Sequence, residues 1–313
     1  MLKYFLDKLP YVRKLKWDNA HLANEHKQLS ADNANFYKNC AFPPGHFYSV
    51  LVSVDEAKEH ASQIWKEPLV DNIPGIDLQT QKQIDLLKSF VAYYADLPFK
   101  NEKQEGTRYY FTNDYYCHTD GIVLYSMMRH FKPKRIIEIG SGFSSAAMLD
   151  TNEMFFNNQI HLTFIEPYPD RLFSLISEND KAATTIIEKN IQSISLEQFQ
   201  VLEAGDILFV DSTHVVKTGS DVNYILFQIL PVLKPGVLIH FHDVYYPFEY
   251  PMNWVLEGRN WNEDYFLRSF LMYNNGFEIM MFNNYLHQLH KQAFQELPLC
   301  YKNHGSGLWI QKK

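Results

Sequence analysis

From Arg135 onward the sequence alternates short apolar runs with helical stretches, and this alternation limits the possible folds more than any other feature. The runs are RIIEIG, HLTFIEP, TTIIEKN, DILFVDS and VLIHFHDVYY, followed by FEIMMFN and GLWIQKK. Strands that alternate with helices are typical of a parallel sheet. No convincing crossover helix separates the last two runs, which therefore predict an antiparallel pair. We expect an α/β fold with a seven-stranded mixed sheet, helices on both faces and a C-terminal antiparallel strand pair.

The residues before this region predict a mainly helical N-terminal extension over residues 1–107, followed by the main domain at 108–313. In the stretch QTQKQIDLLKSFVAYYADL, apolar residues recur at helical spacing, which is typical of a buried helix face. They are Ile84, Leu87, Phe90, Val91 and Tyr94. We expect the extension to pack beside the main domain and to supply a wall or lid of its site.

The first sixteen residues combine an apolar stripe with basic side chains, and two interpretations remain open. The stripe consists of Leu2, Phe5, Leu6 and Leu9, and Pro10 interrupts it. The segment either makes peripheral contact with an anionic membrane surface, or docks on its own domain or on a partner subunit of a homo-oligomer.

Composition excludes several classes of protein. The formal net charge of −7 argues against a nucleic acid partner, since the sequence has no basic patch beyond the N-terminus. Cys40, Cys117 and Cys300 lie far apart, so we expect reduced thiols and a cytoplasmic protein, located at the inner face of the membrane if the N-terminus binds there. No apolar run is long enough to span a membrane, and the opening lacks the features of a signal peptide.

The most specific motif is RIIEIGSGFSSAAMLD, in which a strand ends in a Glu-x-Gly-x-Gly turn and continues into a helix. Gly140 and Gly142 allow a tight turn and the close approach of a ligand to a helix N-terminus. Twenty-six residues after Gly140, Glu166 ends the next strand, where a carboxylate can accept hydrogen bonds from both ribose hydroxyls. The pattern therefore predicts a nucleotide-containing cofactor.

These motifs, with FIEPYP, FVDSTH and PGVLIHFHDV, resemble the Rossmann-fold, S-adenosylmethionine-dependent methyltransferases, over about Asp120 to Trp309. The resemblance implies a Rossmann-like sheet. It also implies that Glu138, Gly140, Ser141 and Gly142 cradle the methionine part of S-adenosylmethionine, that Glu166 holds the ribose, and that Gln192 lies near the adenine. Ser145 replaces the third glycine of a dinucleotide fingerprint, which argues against a nicotinamide cofactor. Tyr116 and Asp120, just upstream, are further expected cofactor contacts, although Asp120 is equally well explained as a helix N-cap.

Carboxylates and imidazoles follow the fourth and fifth strands, where the carboxyl ends of the strands should face the reacting methyl group. They are Asp211, His214, His242 and Asp243. A hydroxyl acceptor needs a group that removes its proton, and His214, with an ordinary pKa of about 6.5, is the expected general base. Asp211 is expected beside it, as a catalytic and cofactor-binding residue. In the alternative, Asp211, His242 and Asp243 bind a divalent metal ion, as related carboxylates do in some sugar and catechol O-methyltransferases.

The expected activity is therefore O-methylation of a small molecule or a glycan, using S-adenosylmethionine. Two alternatives remain open: a nicotinamide-dependent oxidoreductase, and a non-catalytic binding protein that retains the fold. The absence of an evident hydride-transfer motif such as Tyr-x-x-x-Lys after the fourth strand argues against the first. The intact glycine loop and the acids at the strand ends argue against the second.

Overall fold

A computed structural model describes residues 9–313, and at its centre is a seven-stranded sheet in the order β3-β2-β1-β4-β5-β7-β6. The strands are β1 Arg135–Ile139, β2 His161–Ile165, β3 Thr185–Ile187, β4 Ile207–Val210, β5 Leu238–Phe241, β6 Phe277–Phe282 and β7 Leu308–Lys312. Strands β1 to β5 are parallel, whereas β7 lies antiparallel between β5 and β6. Each strand lies within a predicted run, so the predicted mixed sheet is confirmed.

Helices precede and connect these strands. They are α1 Pro10–Asn39, α2 Val54–Glu59, α3 Ala61–Ile64, α4 Thr80–Ser89, α5 Val91–Tyr94, α6 His118–Phe131, α7 Phe143–Phe156, α8 Asp170–Leu175, α9 Glu178–Ala183, α10 Glu197–Gln200, α11 Asp221–Tyr224, α12 Leu230–Val232, α13 Met252–Leu256, α14 Glu263–Leu271 and α15 Asn283–Leu289. A π-helical turn, Ile225–Ile229, joins α11 to α12, and 3-10 turns occur at Ile191–Ser193, Lys291–Phe294 and Pro298–Lys302.

The order of the strands reverses at β1, which has β2 on one side and β4 on the other. In open α/β sheets, ligands bind at the carboxyl ends of the strands beside such a reversal. Here those ends carry Gly140 and Asp211. Strands β4 and β5 are buried along their whole length, as expected for strands covered on both faces.

The chain divides into two compact units. One comprises residues 62–254 and 261–313, and it contains the sheet together with α4 and α5. In the predicted stripe Leu87 and Phe90 are buried, and the other three residues are partly buried. The other unit comprises residues 9–61 and 255–260. The domain boundary expected at residue 107 therefore stays a prediction.

The N-terminal unit contains α1, a 30-residue helix in which no residue is buried. It begins at Pro10, in the first helical position, where the missing N–H of proline costs no hydrogen bond. Leu2, Phe5 and Leu6 of the predicted stripe lie outside the described residues. Within residues 9–313, no helix is long and apolar enough to cross a membrane.

Candidate active site

The turn after β1 packs tightly against Asp211, the residue that follows β4. Gly140 has φ +79°, and a Cβ atom there would lie 1.9 Å from the carbonyl oxygen of Asp211. The position therefore requires glycine, because the backbone of the neighbouring strand occupies the space of a side chain. Gly142 is extended, and its N–H donates to the Ser145 hydroxyl 3.0 Å away.

Glu138 holds the start of α7, the helix after this turn, and does not line the cavity described below. Its carboxyl group is fully buried and accepts hydrogen bonds from the hydroxyls of Ser144, at 2.5 Å, and Ser145. Burial raises the Glu138 pKa to about 8, although the serine hydrogen bonds oppose the shift. Ser145, which replaces the third fingerprint glycine, thus has a structural role that glycine could not perform.

A cavity of about 330 Å³ opens at the carboxyl ends of β1, β2 and β4. Gly140, Glu166, Gln192 and Asp211 all line it, so four residues predicted to bind the cofactor are brought together. The Glu166 carboxylate accepts from the backbone N–H of Ser141 at 3.1 Å and of Tyr168 at 2.8 Å, which fixes its orientation.

The cavity suits S-adenosylmethionine by its size and its polar groups. Its volume falls within the usual range for small ligands, roughly 300–1,000 Å³. The carboxylates of Glu166 and Asp211 line it and can accept hydrogen bonds from ribose hydroxyls.

Tyr116 and Asp120 lie outside this cavity. Tyr116 packs against His242, with ring centroids 5.1 Å apart, and its hydroxyl donates to the Asp120 carbonyl. The Asp120 carboxylate accepts from the backbone N–H groups of Ser306 and Gly307. The N-cap alternative is wrong, because α6 begins at His118 and its N-cap is Cys117. Neither Tyr116 nor Asp120 lines the cofactor cavity, and their contact with the cofactor stays a prediction.

His214 is enclosed by carboxylates. Its Nδ1 lies 2.8 Å from Glu263 Oε2, and its Nε2 lies 3.4 Å from Asp211 Oδ1 and 3.7 Å from Asp243 Oδ2. The Ser212 hydroxyl also donates to Glu263 Oε2, at 2.9 Å. His214 and Asp243 both adopt left-handed backbone conformations, with φ +59° and +55°, which are uncommon for non-glycine residues.

This enclosure changes the charge of His214. Burial alone would lower the His214 pKa, but the hydrogen bonds to Asp211 and Glu263 and their negative charges outweigh it and raise the pKa well above 6.5. At Asp211 burial raises the pKa, yet the hydrogen bond from His214 and the neighbouring positive charges bring it below its usual value. The premise of an ordinary His214 pKa is therefore wrong, because His214 rests as an imidazolium between ionised carboxylates.

His242 and Asp243 lie in the same region, with His242 Nε2 3.7 Å from Asp243 Oδ1. Burial lowers the His242 pKa, but the charges of Asp243, Asp211 and Asp120 raise it above its ordinary value. Nowhere in residues 9–313 do three or more His, Cys, Asp or Glu side chains form a group that could hold a metal ion. A metal site at Asp211, His242 and Asp243 therefore stays a prediction.

A second cavity is larger, at about 640 Å³. Segments 63–70 and 72–74 of the predicted extension line it, together with the loop after β5, so the extension does supply a wall of a cavity. Tyr245, in that loop, is hydrogen-bonded to Ser306, whose hydroxyl donates to Asp243 Oδ1 at 3.0 Å. Asp243 thus connects the larger cavity to His214, and Asp211 connects His214 to the smaller cavity.

Comparisons with known proteins place this geometry in a family. A family model described as a methyltransferase domain matches residues 137–244. An uncharacterised protein of Archaeoglobus fulgidus is 33% identical over 168 residues, which is 52% of this chain and 74% of that protein.

Among solved structures, the SAH-bound methyltransferase PaMTH1 of Podospora anserina has a TM-score of 0.41 and 16% identity, over 83% of this chain and 96% of its own. The O-methyltransferase TomG of Streptomyces achromogenes, in complex with SAM, has a TM-score of 0.41 and 14% identity, over 81% and 96%. Both scores are too low to support an argument, so the assignment rests on the domain match, the archaeal relative and the glycine loop. The chain belongs to the Rossmann-fold, S-adenosylmethionine-dependent methyltransferases.

Proposed function

We propose that this methyltransferase acts on a hydroxyl oxygen of a small molecule or a glycan, with His214 as the general base. The observation that carries the proposal is the set of contacts at His214. One contact is with Asp211, which lines the cofactor cavity, and another is with Asp243, which is linked through Ser306 to Tyr245 in the lining of the larger cavity. Bound S-adenosylmethionine supplies a methyl group on a positively charged sulfur, which needs an acceptor lone pair in line with it.

Glu263 orients His214 for this role. Because Glu263 Oε2 accepts the hydrogen bond from Nδ1, the Nε2 atom is left facing Asp211 and Asp243. In other enzymes a carboxylate bonded to Nδ1 in the same way fixes the tautomer of a catalytic histidine. Only neutral His214 can accept a proton through Nε2, so we expect turnover to rise with pH up to the raised pKa of His214.

Asp211 has two roles in this proposal. It lines the cofactor cavity and contacts His214, and its side chain is about one-third exposed. Its negative charge stabilises the imidazolium that forms when His214 takes the acceptor proton. It also favours a positively charged sulfur in the cavity over a neutral one.

The larger cavity would hold the acceptor. Tyr245, Tyr246, Tyr250 and Trp65 supply aromatic surface, on which sugar and aromatic rings pack well. The reacting hydroxyl would enter beside Tyr245, where the chain of contacts through Ser306 and Asp243 leads to His214.

The cofactor part of the proposal is tested by isothermal titration with S-adenosylmethionine and with its demethylated product. We expect micromolar affinity, about −8 kcal/mol. Glu166→Ala should weaken binding by roughly 1.5–3 kcal/mol through lost ribose hydrogen bonds. Glu178→Ala, an exposed acid outside the cavity, is the control and should bind like the wild type.

The base is tested by transfer of radiolabelled methyl groups to a panel of phenols and sugars. His214→Asn should reduce turnover by roughly two to four orders of magnitude with little change in cofactor affinity. The same change at exposed His161 is the control. Equal rates in the wild type, His214→Ala and Asp211→Ala would refute the assignment.

A second mechanism for the same reaction is metal assistance, because the carboxylates of Asp211 and Asp243 both lie at Nε2 of His214. A divalent ion at Asp211, His242 and Asp243 would activate the hydroxyl by direct coordination. In that case chelation abolishes turnover of the wild type, and added magnesium or manganese restores it. Full activity in a chelator would leave His214 as the base.

A further inference from the structure

Arg268 distinguishes the acceptor cavity from a purely aromatic pocket. It lies on α14, lines the cavity and is half-buried. Its charge helps to lower the pKa of Glu249, although burial raises that pKa overall. The guanidinium makes no ion pair or hydrogen bond to any of residues 9–313.

The neighbouring acid, Glu249, also lines the cavity but makes no ion pair with Arg268. The Glu249 carboxylate instead accepts a hydrogen bond from the Tyr265 hydroxyl, at 2.5 Å. A half-buried guanidinium keeps its charge and has five N–H donors in a planar fork. Carboxylate and phosphate groups match that fork, and such pairs are among the strongest polar contacts in proteins.

We infer that the methyl acceptor carries a carboxylate or phosphate group, and that Arg268 binds this group in the aromatic cavity. The inference rests on the proposed function for the identity of the cavity as the acceptor site. Lys66 lines the same cavity but is exposed at its rim, so it contributes little beyond a screened charge.

The test compares three probes that share a phenyl ring: 4-hydroxybenzoate, phenyl phosphate and neutral 4-hydroxybenzamide. Their affinities are measured by ligand-observed NMR on full-length protein saturated with S-adenosylhomocysteine. We expect at least one anion to bind about tenfold more tightly than the amide. Arg268→Gln should abolish that preference, Arg268→Lys should retain part of it, and Lys66→Gln should leave it intact.

Equal affinity for all three probes would overturn the inference, and so would a preference that survives Arg268→Gln in a folded variant. Failure of the proposed function has a different signature. In that case S-adenosylmethionine does not bind, or its methyl group is not transferred, whatever the probes do. Transfer to neutral acceptors without any anion preference would overturn the Arg268 inference alone.

A second inference concerns α1, in which three leucines are spaced seven residues apart. Leu15, Leu22 and Leu29 are 43%, 59% and 68% exposed, and Phe36 continues the series. A helix of this length without a buried face gains no stability from packing in this chain. Apolar residues repeating every seven positions instead match the interface of a coiled coil.

The residues three positions before each member of the series complete the heptads. They are Val12, Asn19, His26 and Asn33. Polar residues at such positions cost stability but specify the register of two parallel strands. The helix spans about 45 Å, or four heptads, the length at which such pairs become stable.

The charges favour a parallel arrangement. Asp18, Glu25 and Asp32 flank the stripe on one side, each directly before one of the polar positions. In an antiparallel pair these acids would face their own copies across the interface and repel each other. In a parallel pair they face Ala23, Ser30 and Tyr37 of the other helix.

We propose that α1 forms a parallel two-stranded coiled coil with a second copy of this chain. The test is size-exclusion chromatography with light scattering on the full-length protein at micromolar concentration. We expect a dimer, which the double change Leu22→Asp and Leu29→Asp converts to a monomer. Trp17→Asp, at an exposed position off the stripe, is the control and should remain dimeric.

A monomeric wild type would overturn this proposal, as would a double variant that stays dimeric. Sedimentation of monomeric protein with anionic phosphatidylserine vesicles would assign the N-terminal segment to a membrane surface instead.

Discussion

Replacing Glu263 with Gln should lower the pKa of His214 and move the pH dependence of the reaction with it. The two side chains are almost completely buried, and their contact measures 2.8 Å. A hydrogen bond to a charged group contributes about 1.5–3 kcal/mol. At about 1.36 kcal/mol per pKa unit, its loss should lower the His214 pKa by about 1 to 2.

The direction of the shift in the pH profile depends on which form of His214 acts as the base, and this is the neutral form. In the wild type His214 is protonated at neutral pH, because its pKa lies well above 6.5, so methyl transfer should increase with pH through that pKa. In Glu263→Gln the neutral form appears at lower pH, and the rising limb of the profile moves to lower pH. Since glutamine is a weaker partner for the imidazolium, the rate at the plateau should fall.

NMR measures the pKa without any acceptor. The Cε1–H signal of His214 is followed across pH 5 to 10, and it is identified among the signals of 13 histidines by its loss in His214→Asn. Asp264→Asn is the matched control. Burial raises the Asp264 pKa well above 3.8, and Asp264 makes no hydrogen bond to His214, so its change to the neutral amide should affect the His214 pKa less than Glu263→Gln does. A wild-type His214 titrating at or below 6.5, or an unchanged pKa in Glu263→Gln, would refute the reasoning.

Three further predictions concern stability and the glycine turn. The Glu138 pKa of about 8 exceeds its ordinary value, so the stability that this group contributes is present at low pH and is lost as pH rises through about 8. In Glu138→Gln the melting temperature should not show this decrease with pH. Arg108→Ala removes partly buried ion pairs with Asp150 and Asp180 and should cost about 3–5 kcal/mol in urea denaturation. Gly140→Ala should lower the melting temperature and cofactor affinity together, since its Cβ would collide with the Asp211 carbonyl; unchanged values of both would contradict the tight contact.

Features encoded by neighbouring residues could be predicted from the sequence. The seven strands, the glycine turn and the place of Glu166 each depend on a short window with a characteristic pattern. The partner of His214 could not be predicted, because Glu263 lies 49 residues further along the chain and occurs at a helix start, where acids are common. The ordinary pKa assumed for His214 was wrong for the same reason.

The acceptor cavity was only partly predictable. The extension was expected to supply a wall or lid of the site, and its segments 63–70 and 72–74 line the larger cavity. Arg268 was not singled out, because an arginine on an amphipathic helix usually lies in solvent, and only the packing of α14 shows that it faces a cavity. The role of Asp120 depends on Ser306 and Gly307, which are 186 and 187 residues away.

The position of β7 has a consequence for how the enzyme is made. Of the strands described here, the ribosome synthesises β7 last, yet it lies between β5 and β6 and is the only connection between them in the sheet. The residues just before it supply the donors for Asp120 and Asp243. Until residues 305–312 emerge, β6 has no strand to pair with and Asp243 lacks its contact with Ser306. A chain cut before residue 305 would therefore keep an intact glycine loop but lack β7 and the donors to Asp120 and Asp243.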